Sequence, residues 1–217
     1  MLEGSPNLLG IIIAVGFVGL LPLLVVTMTG FLKISVVLFL VRNALGVQQM
    51  PPNLVLYGIA LVLTGFVSAP LLSDMATRVG DAQIQLQTTE DVARAAELVR
   101  DPLKQHLVKY TKPAERAFFM EGTARLWPEE ARADVRDDDL VILIPAFVAS
   151  ELTRAFEIGF LIYLPFLIVD IVVANVLMAL GMIMVSPVLI SVPLKLLLFV
   201  AIDGWSRLMH GLILSYG

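Results

Sequence analysis

The chain has 217 residues, 58% of them hydrophobic, against roughly 45 to 50% in soluble domains, and its mean hydropathy is +0.88; it reads as an integral membrane protein. The net charge of −4 sits in one stretch, because Asp74 to Asp139 carries 10 basic and 14 acidic side chains and the rest of the chain 5 of each. A pI near 5.1 with scattered lysines excludes nucleic-acid binding, and the absence of cysteine excludes disulfides and thiolate metal sites.

The chain begins Met1-Leu2-Glu3 without a basic leader, and its first apolar run is about thirty residues long, so this segment is expected to be retained rather than cleaved. Leu8 to Leu32 is uncharged, Lys33 interrupts, and apolar character resumes from Ile34 to Val41; Pro22 is a candidate kink. Arg42 to Asn53, with its paired Pro51-Pro52, reads as a turn. Leu54 to Ser73 is a second uncharged run long enough to span a bilayer. Residues 1–73 are therefore expected to form an apolar helical hairpin.

From Asp74 to Asp139 the composition becomes that of a small, polar, helical insert. Thr88 and Asp91 resemble a capping box opening a helix through Arg100. Asp101-Pro102 is expected to restart a helix with proline at its first position, and a third is expected from Pro113 to Glu121, stopped by Gly122. Phe118, Phe119 and Trp127 are expected to pack these helices together. Asp137-Asp138-Asp139 reads as a solvated boundary, because no second ligand cluster or glycine-bearing calcium loop accompanies it.

Residues 140–217 return to apolar character. Leu140 to Ser150 is too short to span and is expected to be a buried or interfacial segment. Glu151, Arg154 and Glu157 follow at three-residue spacing, neighbours on one helical face, as an ion-paired start to a long helix or a contact to another subunit. The 24 uncharged residues between Asp170 and Lys195 exceed the roughly 20 a spanning helix needs. Gly181, Ser186, Pro187 and Pro193 nonetheless argue against one straight helix, so a second hairpin is expected with its tip at 179–187. Both tips read Ala-Leu-Gly followed, six residues after the glycine, by proline: Gly46 with Pro52, and Gly181 with Pro187. They differ in wetness, since the first carries Gln48 and Gln49 where the second carries Ile183 and Met184.

Ionisable groups inside apolar runs are functional candidates because charge is costly there. Asp203 has Arg207 four residues on as a local partner. Lys33 and Asp170 lie about fifteen and sixteen residues before their tips, roughly 22 to 25 Å at 1.5 Å per residue. If the tips are level the two could pair and hold the hairpins in register. Met178, Met182 and Met184 cluster at the dry tip, either as ordinary apolar packing or as a ring that closes a pore yet yields to a passing chain. No zinc-protease, nucleophile-elbow or phosphate-loop pattern is present, so an enzyme, a cofactor and a bound metal are not expected.

Several stretches carry a resemblance in chain order: Arg42-Asn43-Ala44-Leu45-Gly46 with Pro51-Pro52-Asn53, Leu143-Ile144-Pro145-Ala146-Phe147 running into Ser150-Glu151-Leu152, Ile158-Gly159-Phe160, Leu164-Pro165-Phe166 with Asp170, Met178 to Met182, and Asp203-Gly204-Trp205. Together they resemble the R subunit of the type III secretion export apparatus, SctR, whose flagellar counterpart is FliP. Flagellar members usually begin with a cleavable signal, which leans this chain toward the injectisome branch. The resemblance implies a homopentamer joining S and T subunits in a gate of the bacterial inner membrane, raised partly into the periplasm. The export switch, the large export gate ring and inner rod or needle proteins are implied as neighbours, and unfolded secreted proteins pass through. The family's methionine loop, which constricts the pore, aligns with Met182, Ile183 and Met184; Ile183 interrupts the usual run of methionines and implies a stiffer seal.

The expectation is thus an all-α membrane protein of two apolar hairpins and an extracytoplasmic insert, assembling in a ring as a conduit for secreted proteins. The alternative is a small ion or solute transporter using Lys33, Asp170 and Lys195 as a relay.

Overall fold

The computed structural model describes Gly19, residues 23–82 and residues 89–217; most of the first apolar run, Pro22 and Thr88 included, lies outside the described residues. Among the described residues all regular structure is helical. A short helix at 23–28 ends at a break at Thr29 and Gly30. It is followed by α1 (Phe31–Leu45), α2 (Asn53–Asp81), α3 (Thr89–Tyr110), α4 (Pro113–Leu126), α5 (Glu129–Arg132), α6 (Leu140–Ala179), α7 (Val188–Ala201) and α8 (Gly204–Leu214). Both α2 and α6 are long and apolar enough to cross a membrane, at 29 and 40 residues, and α7 with α8, bent by 62°, would make a third, broken span.

The chain divides into two compact units, one of Met1–Gly30 with Ser68–Glu151, the other of Phe31–Val67 with Leu152–Gly217. In the second unit α1 is the centre. Ile34, Val37, Leu38, Val41, Ala44 and Leu45 are all buried, so α1 is covered over most of its circumference, as a core helix must be. The helices around it bury only one stripe each. On α2 that stripe is Leu56, Ala60 and Leu63, at the four- and three-residue steps of one face. On α6 Gly159 lets α1 come close, for a Cβ there would stand 2.3 Å from Leu40 Cδ1. The outward faces stay apolar, with Val62, Phe66, Phe160, Leu161 and Leu197 all exposed; a chain of this kind needs lipid or other subunits around it.

In the first unit α3 and the start of α6 run side by side and parallel. Lys104 meets Asp139, Leu107 packs with Leu143 and Phe147, and the Lys112 N–H donates to Ser150 Oγ at 2.9 Å, so the contacts advance along both helices together. Leu107, Leu143 and Phe147 are the core, with Met28, Leu103, Val108, Tyr110, Leu140 and Ile144 around them.

Several expected boundaries move. α3 runs straight through Pro102 instead of restarting there, because proline removes only one intrahelical donor while Leu103 and Leu107, just beyond it, pack into the unit's core. For the same reason Leu140 to Ser150 is not a separate segment: α6 is continuous from Leu140 through Pro145 and Pro165. Glu151, Arg154 and Glu157 therefore lie within a helix already under way and do not open one. α4 passes Gly122 and ends at Leu126, with the Trp127 N–H donating to Thr123 O. Phe118 touches Phe119 edge-on but is itself exposed, so it is Leu107 and Phe147, not Phe118, that hold this unit's core. The three aspartates are ion-paired: Asp137 with Arg116, Asp138 with Lys104, and Asp139 with Lys104 and Arg100.

Candidate functional site

The second hairpin is antiparallel by direct contact. Asp170 on α6 meets Lys195 on α7, and four residues back along α6 and four forward along α7 Phe166 meets Phe199 at 6.1 Å between centroids. In such a pairing facing residues are equidistant from the turn, and these two pairs are centred between Met182 and Ile183. The turn itself is closed by backbone alone. Gly181 N–H donates to Met178 O at 3.0 Å and Met182 N–H to Leu177 O at 2.9 Å, with Gly181 at φ +70°, the Schellman pattern that ends a helix on a left-handed residue. Val185 N–H then donates to Met182 O at 3.2 Å, a β-turn with Ile183 and Met184 at its corners. That geometry points both side chains outward: Ile183 is 86% exposed, Met184 fully exposed and Met182 42% exposed. Pro187, in helical conformation, stands just before α7.

The first tip leaves its helix on the same left-handed glycine, with different chemistry. Gly46 is left-handed at φ +73° and its N–H donates to Asn43 O at 3.1 Å. Of the residues that follow, Gln48 and Gln49 are polar and exposed, with Gln49 also at positive φ and Met50-Pro51 cis. Arg42 closes the turn through side-chain bonds, donating to Pro51 O at 3.2 Å and to Asn53 Oδ1 at 2.6 Å. The carbonyl of Pro52 then accepts the first N–H groups of α2.

Lys195 ties the two hairpins together. It is 4% exposed, and its ammonium pairs with Asp170 Oδ2 at 2.5 Å and donates to the carbonyl of Ala44 at 3.1 Å. That carbonyl lies in the last turn of α1, where orphan acceptors and the negative end of the helix dipole both favour a cation. The expected Lys33–Asp170 pair is not formed, because the tips are not level. Ala44 is level with Lys195, and Gly46 sits against Val192, whose Cγ2 would be 2.9 Å from an added Cβ, so the first tip turns soon after passing the Asp170–Lys195 pair. Beyond Asp170, α6 runs nine further residues, about 13 Å, so the methionine tip stands at least that far past the Asp170–Lys195 pair. Lys33 is buried with its ammonium 3.4 Å from the centroid of the Tyr216 ring.

Asp203 and Arg207 are both exposed and are joined by the Arg207 N–H to Asp203 O bond alone, at 3.1 Å; Asp203 is left-handed at φ 52°, the bend residue before α8, so helical i,i+4 side-chain geometry does not apply to it. Glu151 is fully buried, Arg154 half-buried and Glu157 exposed. Sequence reasoning missed Arg42, Ala44 and Tyr216 as partners. The Asp170–Lys195 pair had a signal in the sequence, since both residues are twelve positions from the centre of the turn.

Two apolar hairpins locked by a buried lysine, one presenting an exposed apolar tip, with two helices long and apolar enough to span a bilayer, make this a membrane protein of the helical class. The FliP family model matches residues 14–212, and the chain belongs to that family of type III secretion components. It is 56% identical over 216 residues to the probable translocation protein y4yL of Sinorhizobium fredii, covering 100% of this chain and 97% of that protein. It is 47% identical over 212 residues to the Yop proteins translocation protein R of Yersinia pestis, covering 98% of each. With the hypersensitivity response secretion protein HrcR of Ralstonia nicotianae it shares 48% over 202 residues, 92% of this chain and 93% of that one. Proteins of this family are structural components of a secretion apparatus, not enzymes.

Proposed function

We propose that this chain is the pore-forming R subunit of a type III secretion export gate. Copies of it, five by the family resemblance, surround an axis with S and T subunits and conduct unfolded secreted proteins across the bacterial inner membrane. Residues 1–73 and 140–217 supply the two hairpins, and the polar stretch 74–139 faces the periplasm. The secretion names carried by its relatives across nearly their full lengths support the process.

The observation that carries the gate is the second tip. A helical hairpin that overhangs its own lock and ends in Met182, Ile183 and Met184, all exposed, leaves apolar surface that water disfavours. Tips from neighbouring copies meeting on an axis would bury it and seal the conduit, and the unbranched thioethers can repack around a passing chain. The exposed faces of α2, α6 and α7 supply surface for neighbouring subunits. Asp170 and Lys195 neutralise one another and hold a main-chain carbonyl, the arrangement of a structural tie and not of a transport relay.

Replacing Met182 and Met184 together by alanine tests this. Membranes carrying the complex are expected to leak small ions at rest while the ring still assembles. A tight membrane with the assembled variant would refute the seal, and loss of uptake of one solute without a leak would support the transporter.

A further inference from the structure

Eight methionines fall among the described residues, and they divide by exposure. Met28, Met75, Met120 and Met209 are half-buried, whereas Met50, Met178, Met182 and Met184 are exposed. Three of the exposed four stand within seven residues at the second tip. The glycine cap and the β-turn hold that tip so that the Met184 thioether has nothing of its own chain over it. A thioether is oxidised where an oxidant can reach the sulfur, and the product is a polar sulfoxide; in a ring whose tips cover one another, that approach is along the conduit, to the sulfurs that line its constriction.

We propose that Met182 and Met184 form a redox-sensitive site, at which small hydroperoxides convert the thioethers to sulfoxides and loosen the seal; this rests on reading the tip as a seal. In each event a sulfur lone pair forms the S–O bond as the peroxide O–O bond breaks. The sulfur loses two electrons, and the departing hydroxide, or alkoxide where the peroxide is an alkyl hydroperoxide, takes the proton of the transferred OH group and leaves as water or alcohol. The sulfoxide oxygen is a strong acceptor, costly in an apolar constriction unless water follows it in. Two such groups per subunit therefore hydrate the gap. Ile183 between them has no oxidisable atom and stays apolar, so oxidation raises the leak without removing the constriction. Two-electron reduction by a thiol-dependent sulfoxide reductase returns the thioether, making the change reversible. Met50 is the internal control: it is exposed, but on the polar tip beside Gln48 and Gln49.

The test uses the assembled complex in lipid vesicles, treated with hydrogen peroxide, with sulfoxides mapped by mass spectrometry and ion leak followed in parallel. Sulfoxide is expected at Met182 and Met184 before Met28, Met120 or Met209, with a several-fold rise in leak that methionine sulfoxide reductase reverses. Met182→Leu with Met184→Leu keeps volume and apolarity and is expected to stay tight under peroxide, while Met50→Leu leaves the peroxide response unchanged. Absence of sulfoxide at the tip when half-buried methionines are oxidised overturns the proposal. So does an unchanged leak once tip sulfoxide is confirmed. If the double alanine variant of the tip is tight without peroxide, it is the seal reading that has failed; if that variant leaks but oxidised wild type does not, only the redox proposal falls.

Discussion

The two hairpin tips begin alike and end as opposites. Each leaves its helix through Ala-Leu-Gly with the glycine near φ +70°, Gly46 at +73° and Gly181 at +70°. After that shared glycine, the first tip is tied down by Arg42 through two side-chain hydrogen bonds and set against Val192. The second is closed by main chain alone and stands about 13 Å past the Asp170–Lys195 pair. A helix cap specifies where a helix stops and nothing more; the residues beyond the cap decide whether the turn is an anchor or a free end. Here the anchored tip is polar and the free one apolar, an assignment that makes sense only if the free end meets other apolar surface.

The largest effect is expected from cutting the tie between them. Asp170→Ala would leave the Lys195 ammonium buried with a single carbonyl, and loss of one partner of a buried pair costs on the order of 3 kcal/mol. Lys195→Met is expected to cost less, because Asp170 is about one-third exposed, with a side-chain exposure of 36%, and can find water. The swap of Asp170→Lys with Lys195→Asp restores the ion pair but not the bond to Ala44 O, so it should recover part of the loss. Thermal melting of the detergent-solubilised complex measures all three, and a double swap no better than the worse single change would remove the pair from the account.

A smaller effect separates the caps. Alanine in a left-handed position costs about 1 to 2 kcal/mol at either glycine. Gly181→Ala meets nothing within 4 Å, whereas Gly46→Ala puts its Cβ 2.9 Å from Val192 Cγ2, a stiff β-branched side chain. Gly46→Ala should therefore destabilise the fold more, and Val192→Ala on that background should narrow the gap. Equal melting shifts for the two glycine variants would mean that the first tip is not pressed against α7.

Much of this fold was legible in the apolar runs and glycines, because both report on backbone: a stretch without charge wants an apolar surround, and Gly46 and Gly181 mark where chains reverse. One proline misled. Pro102 reads as a helix start, yet it sits inside α3, where Leu103 and Leu107 just beyond it pack into the core, and tertiary packing outweighs one missing donor. The charge pairing was misread for a different reason: height along a hairpin was reckoned from two tips assumed level, and nothing local reveals an overhang. Asp203 shows the same limit, since i,i+4 spacing to Arg207 means contact only when both ends are helical. The outward geometry of Met182 to Met184 depends on three backbone hydrogen bonds that no residue pattern announces beyond Gly181.

The smallest effect sets both tips against the insert. Neither tip carries a group that titrates near neutrality, so mild acid should act first on residues 89–139. His106 lies between Tyr110 and Phe147 with its Nε2 buried and without a hydrogen-bond partner. Burial, and then the charge of Lys109, hold its pKa below the ordinary 6.5. Below pH 6.5 the unfolded insert binds a proton the folded one refuses, so stability falls with pH until the lower folded value is passed. Asp139 acts later and in the same direction. Its backbone bond from Arg136, then its bond from Lys104, lower its pKa from 3.8, so its contribution is complete above 3.8 and lost as pH drops through the folded value. Hydrogen exchange at α3 amides should accelerate on acidification from pH 6.5, with exchange at 176–185 unchanged, and His106→Phe should flatten the α3 response down to the carboxylate range. An α3 response that survives His106→Phe intact would assign the acid sensitivity to the carboxylates alone.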